Sequence, residues 1–150
     1  EVLEPLPEAR QASIRHLAAL SGGAVAAGMQ WEGDGQPPPL LAFARPGGHL
    51  ACADAPQGLW SALQGYVGSV AAAGGRIAVS SPRGGRIARF GPDGTLADLI
   101  ERPDICGLAA MPDGRILASD GAGALVACEI GRRDLMARHG LAWDNHIVPV

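Results

Sequence analysis

The sequence predicts an all-β protein: a partial β-propeller of about three four-stranded, WD- or YVTN-like blades, followed by one extra inner strand. Three observations carry this reading. Twenty-two Gly and 12 Pro in 150 residues punctuate short apolar runs, which favours many short strands joined by turns over long helices. The runs repeat in units of about forty residues with four runs apiece, the spacing of a propeller blade. Gly-Gly, Asp-Gly and Pro-Gly steps fall at matching places in the units, where tight hairpins need positive φ at low steric cost.

The first blade is expected over approximately 13–56, beginning "RHLAALSGGAVAAGMQ", with Gly22-Gly23 between its first two strands and Pro46-Gly47-Gly48 between its last two. "QGLWSALQGY" follows as an insertion, a short helix-like or loop segment outside the strands. Trp60 within it is expected to pack the segment down. The second blade, over 66–103, reads "GSVAAAGGRIAVSSPRGGRIARFGPDGTLADLIERP" and turns at Gly74-Gly75 and Pro92-Asp93-Gly94. The third, over 104–140, reads "CGLAAMPDGRILASDGAGALVACEIGRRDLMARHG" and turns first at Asp113-Gly114.

Aligning the first apolar residue of each inner strand gives Leu17, Val70, Leu108 and Ile147, the last two intervals being 38 and 39 residues. "WDNHIV" thereby aligns with "IRHLAA", "VGSVAA" and "ICGLAA", so 143–150 is expected to be a fourth inner strand without the rest of its blade. Three blades and one orphan strand do not close a ring, and open strand edges are normally avoided. The remaining strands are expected from upstream sequence, with the final strand completing the first blade. The open edges suggest association with the missing blades or with another copy. The start at Glu1, with no initiator Met and no signal peptide, fits a piece of a longer product.

Composition excludes several classes. Hydrophobic residues make up 47% and charged residues 18% of the chain, which rules out a disordered tail. The net charge is −3, and the 12 basic residues, all Arg, are scattered, so no basic stripe exists to follow a nucleic-acid backbone. The longest apolar stretches fall short of the roughly 20 residues that span a bilayer, so no membrane insertion is expected. Cys52, Cys106 and Cys128 are widely separated without C-x-x-C spacing and read as small core residues. No nucleophile elbow, zinc-protease helix or phosphate loop is present, which leans away from an enzyme.

Taken together, "SIRHLA", "GYVGSVA", "SPRGGR", "PDICGLA" and "LAWDNH" resemble the C-terminal half of an uncharacterised bacterial propeller family, a domain of unknown function encoded beside imelysin-like iron-uptake lipoproteins. The resemblance covers about Leu6 to His146. It implies a seven-bladed propeller exported to the periplasm by a twin-arginine-type signal, with an iron-uptake protein as candidate partner. It implies no assigned activity. The family pattern also places His at the starts of inner strands in the N-terminal half, which this sequence does not contain, so no residue is carried over.

In a propeller, the loops entering each inner strand and those joining the second and third strands emerge on one face. Arg15, His16, Gly68, Ser69, Asp104 to Cys106, Asp144, Asn145 and His146 belong there, with "QWEGDG", "SPRGG" and "SDGAG". The opposite face carries mostly Gly, Pro and single charges. His16 and His146 hold equivalent repeat positions and are candidate ligands for a transition metal, Fe or Cu, at the axis, with Asp144 or Asn145 orienting the second ring. The alternative is that they hydrogen-bond neighbouring inner strands and plug the channel. Arg83, flanked by Gly84 and Gly85, suits either a carboxylate or phosphate clamp or a brace to Asp120 or Glu32. Glu32, Asp34 and Asp120 are oxygen donors of the calcium type, but without the alternating acidic spacing of a calcium loop. Trp31 is a candidate exposed anchor, and His49 and His139 read as surface residues. The functional expectation is a non-enzymatic periplasmic binding or scaffold propeller connected with iron or transition-metal uptake. The competing readings are a Cu- or Fe-dependent redox enzyme and a structural interaction platform.

Overall fold

A computed structural model describes residues 9–129, 132–144 and 147 of the chain. Among them, strands gather into three four-stranded antiparallel sheets, each made of four consecutive strands in sequence order. The first sheet contains β1 (Ala12–Ala19), β2 (Val25–Trp31), β3 (Leu41–Ala44) and β4 (Ala51–Cys52). The second contains β5 (Ser69–Ala73), β6 (Arg76–Ser81), β7 (Arg86–Phe90) and β8 (Leu96–Glu101). The third contains β9 (Ile105–Ala110), β10 (Ile116–Asp120), β11 (Ala124–Glu129) and β12 (Arg132–Arg138). β5 packs beside β1 on one side and β9 on the other, so the first strands of the sheets line the inside of an arc. This is blade architecture, and the three blades do not close a ring.

The middle sheet explains why both faces of its strands are apolar. Side chains alternate across a strand, and here each alternate set enters a different core. Ile77, Val79, Ala88 and Phe90 join the core against the first sheet. Ala71, Ala78, Ile87 and Ile100 join the core against the third. Close packing is enforced at Gly28 on β2, where an added Cβ would lie 2.5 Å from Val70 Cγ2 and 2.6 Å from Val67 Cγ1. The outer sheets leave some large apolar side chains in the open. Ile14 and Leu17 on β1 are 57% and 65% exposed, and Leu135 and Met136 on β12 are 60% and 50% exposed.

The insertion supplies a short helix, α1 (Gly58–Ala62). Its Trp60 is fully buried and stacks on Phe90 of β7 with ring centroids 6.1 Å apart. The carbonyls left over at its C-terminal end accept from the second blade: Ser81 Oγ donates to Leu63 at 2.7 Å and Arg86 to Ala62 at 3.2 Å. The insertion is thus part of the first core and a strut between blades.

Two inner strands share an irregularity. On β1, Ile14 pairs with Met29 and His16 with Gly28, leaving Arg15 as the extra residue of a bulge. On β9 the register shifts at the aligned place, where Cys106 and Gly107 share the single opposing Ser119. A bulge bends its strand and re-aims its side chains, so the inner strands change direction where they reach the channel mouth.

Candidate functional site

The polar side chains of the mouth face form three local groups, one per blade. On the first, the bulged Arg15 donates from Nη2 to Glu32 at 2.8 Å, both side chains being about half exposed. Such a surface pair contributes little to stability, but it commits both residues to each other. His16 follows on β1, half-buried opposite Gly28.

The second group is Tyr66 and Arg83. The Arg83 guanidinium carbon sits 4.5 Å from the centroid of the Tyr66 ring, a cation–π contact. Arg83 is exposed and Tyr66 half-buried. The tight glycines of "SPRGG" do not make room for a ligand. An added Cβ at Gly84 would lie 2.6 Å from the Ala62 carbonyl, so that glycine lets the loop lie against α1. The expected brace from Arg83 to Asp120 or Glu32 is not formed, because Arg102 and Arg15 already occupy those carboxylates. Arg83 makes no ion pair among the described residues.

The third group surrounds the start of β9. Asp120, at the end of β10, is buried and pairs with Arg102 through Nε at 2.8 Å and through Nη2. Its other oxygen accepts from the backbone N–H groups of Ala122 at 3.0 Å and Ala124 at 2.8 Å, closing the "SDGAG" turn. Burial alone would raise the Asp120 carboxyl, but the Ala124 N–H, the Arg102 guanidinium and the Ala122 N–H hold it below the ordinary carboxylate range. Cys106 is buried beside it, its thiol donating to the Asp104 carbonyl at 3.1 Å. Burial, with the negative charges of Asp104, Asp144 and Asp120, pushes that thiol up to about 11. It is the wrong environment for a nucleophile, which needs cationic neighbours.

Hydroxyls knit the inner strands together beneath this layer. Ser69 Oγ on β5 accepts from the Leu108 N–H on β9 at 3.1 Å, and Ser119 Oγ accepts from the Gly107 N–H at the bulge, also at 3.1 Å. Ser80 donates to the Cys106 carbonyl. Ser69 and Ser80 of the second blade thus bond the inner strand of the third, whereas Ser119 bonds within its own blade.

The mouth brings Arg15 together with Glu32, and places Asp144, which is exposed, close enough to Cys106 to influence its thiol. It does not bring Arg83 to Asp120. Asn145 and His146 lie outside the described residues, as does most of the expected inner strand 143–150. Among the described residues no group of three or more His, Cys, Asp or Glu stands where it could hold a metal ion. Trp31 is not an exposed anchor: it is half-buried against the first core, and its backbone N–H donates to Gly65 at 2.8 Å. His49 and His139 are exposed. Sequence reasoning passed over Tyr66 and Arg102. The signal for Tyr66 was present, since the chain's one tyrosine precedes the second inner strand.

Structural comparison finds propellers. A catalytically inactive virginiamycin B lyase from Staphylococcus aureus with quinupristin is similar over 87% of this chain and 44% of its own, at 10% identity and a TM-score of 0.64. A nidogen/laminin complex matches over 91% and 52%, at 17% identity and a TM-score of 0.65. A streptogramin B lyase matches over 87% and 41%, at 16% identity and a TM-score of 0.62. The chain therefore spans about half the length of the solved propellers it matches, and identities this low establish the fold alone. No curated protein matches the chain. The family described as "Protein of unknown function (DUF1513)" matches residues 2–150, and the chain belongs to that family.

Proposed function

We propose that this protein is a non-enzymatic binding or scaffold propeller that engages its partner through the mouth face, in the periplasm and in connection with iron or other transition-metal uptake. One observation carries the reading. Two charge pairs of the mouth are closed, Arg15 with Glu32 and Arg102 with Asp120, whereas the exposed Arg83, set over Tyr66, pairs with no described acid. A guanidinium pre-oriented on an aromatic ring is a recognition element for a carboxylate on a partner surface. The buried thiol of Cys106 and the occupied Asp120 argue against a nucleophile or general base in the same place. The periplasmic setting and the uptake partner rest on the family resemblance.

The test is a binding titration between the full chain and a purified imelysin-like protein of the kind the family resemblance implies as partner. The expected result is saturable binding weakened about ten-fold or more by Arg83→Ala, the scale of one lost charge-assisted contact, and unchanged by Arg115→Ala on the opposite face. Absence of binding overturns the proposed partner. Binding indifferent to Arg83 overturns the mouth face as the contact surface.

A further inference from the structure

The face opposite the mouth was expected to carry turns alone. It holds instead a cleft of about 580 Å³ between the first and second blades. Its apolar floor includes Leu20, Ala24 and Ile77, and its walls carry two arginines, Arg45 and Arg76. Both guanidinium-bearing residues are exposed, and neither makes an ion pair or a side-chain hydrogen bond among the described residues. No Asp or Glu lines the cleft. The nearest acid along the chain is Asp93, next to the lining Pro92, and its Oδ1 accepts from the Thr95 N–H at 3.1 Å.

The repeat provides an internal control. The hairpin between the first two strands reads Gly74-Gly75-Arg76 in the second blade and Asp113-Gly114-Arg115 in the third. In the third blade Asp113 accepts from Arg115 Nε at 2.8 Å, and Asp134 lies 3.8 Å from the same guanidinium. There the arginine is a structural part of its own turn. In the second blade a glycine stands at the acid's position, and the equivalent arginine is left without its counter-charge. The turn between the third and fourth strands repeats the pattern. Gly91-Pro92-Asp93 in the second blade corresponds to Arg45-Pro46-Gly47 in the first, so a cation has replaced a glycine and a glycine has replaced an acid. Each exchange leaves on this cleft an arginine that makes no ion pair among the described residues, although Arg76 also borders a smaller cleft lined by Asp113 and Glu129.

We infer that this cleft binds a small organic anion, a carboxylate or phosphate carried on a compact apolar body, with Arg45 and Arg76 holding the charged group and the Leu20, Ala24 and Ile77 floor covering the body. Arginine suits either anion because its planar fork matches their oxygens two at a time. The volume falls within the range of small-molecule sites. This site is separate from the mouth, so it stands or falls independently of the proposed partner.

The probes are phenyl phosphate, benzoate and inorganic phosphate, titrated into the full chain and followed by calorimetry and by amide shifts of Gly74 to Ile77. Phenyl phosphate or benzoate is expected to bind more tightly than inorganic phosphate, the tighter of the two naming the charged group. Arg45→Gln and Arg76→Gln are each expected to weaken binding about ten-fold or more. Arg115→Gln is expected to leave it unchanged. Both cleft arginines are exposed, so these variants should keep the wild-type melting midpoint. No binding of either aryl probe at millimolar concentration overturns the inference, as does binding that Arg115→Gln reduces as much as Arg76→Gln. Inorganic phosphate binding as tightly as phenyl phosphate overturns the role of the apolar floor.

Discussion

Asp120 is the mouth residue whose removal the structure prices most directly. Asp120→Ala deletes the buried partner of Arg102 and the acceptor of two backbone N–H groups, those of Ala122 and Ala124. Breaking a buried ion pair costs about 3–5 kcal/mol because the remaining charge is stranded. The Arg102 side chain is 24% exposed, so water relieves part of that penalty and the expected loss lies near the lower bound, about 3 kcal/mol. For a domain of this size that lowers the melting midpoint by about 6–12 °C. Asp120→Asn keeps an oxygen for the turn amides but turns an NH2 donor toward Arg102 in place of the second oxygen, so its cost should lie between about 1 kcal/mol and that of the Ala variant. The pH dependence has a definite sign. Because the folded-state pKa of Asp120 lies below the ordinary value of 3.8, its contribution is fully present above that value and disappears as the pH falls through the folded pKa. The Asn variant lacks this acid limb. The assay is tryptophan fluorescence against temperature at matched protein concentration, since association shifts apparent midpoints. Glu101→Ala, which removes the exposed partner of Arg86, is the comparison and should cost under about 1 kcal/mol. An Asp120→Ala loss no larger than that of Glu101→Ala would refute the reasoning.

Other consequences are equally open to measurement. The Cys106 thiol, raised from 9.0 to about 11, carries about a hundred-fold less thiolate at pH 7.5 than an ordinary thiol, so Cys106 should resist alkylation by iodoacetamide in the folded protein, as peptide mapping will show. Trp60→Ala empties a fully buried site at the first blade interface and should cost about 3–5 kcal/mol; a chemical-denaturation midpoint unchanged from wild type would contradict the strut role of α1. If His16 and His146 hold a transition metal, tag-free protein should contain about one equivalent of Fe or Cu, reduced by His16→Ala. Less than about a tenth of an equivalent by elemental analysis, unaffected by either His→Ala change, would eliminate that site.

The blades were legible in the sequence because period-two alternation and paired turn glycines are local signals. "GGRIAVSS" announces a hairpin and a strand apolar on both faces, and β6 is that strand, feeding two cores. The candidate site was less legible because its partnerships cross between loops. Arg83 and Asp120 share a face, but which arginine reaches Asp120 depends on the path of the chain from β8 into β9, and Arg102 is delivered there first. The bulge at Arg15 was equally hidden, since a one-residue slip in pairing leaves no mark on composition. The opposite face was underestimated for a related reason. Single charges in turns look like ordinary solvated groups until the structure shows that Arg45 and Arg76 border the same cleft without an acid.

The central claim is that three blades form an open arc that leaves large apolar side chains exposed on its first and last sheets, Ile14 and Leu17 on β1 and Leu135 and Met136 on β12. Sedimentation velocity of the 150-residue protein across a wide concentration range tests it most directly. The account predicts concentration-dependent association that Leu17→Asp combined with Leu135→Asp reduces. A sharp monomer boundary at every concentration, unaltered by those substitutions and accompanied by a cooperative melt, would contradict it.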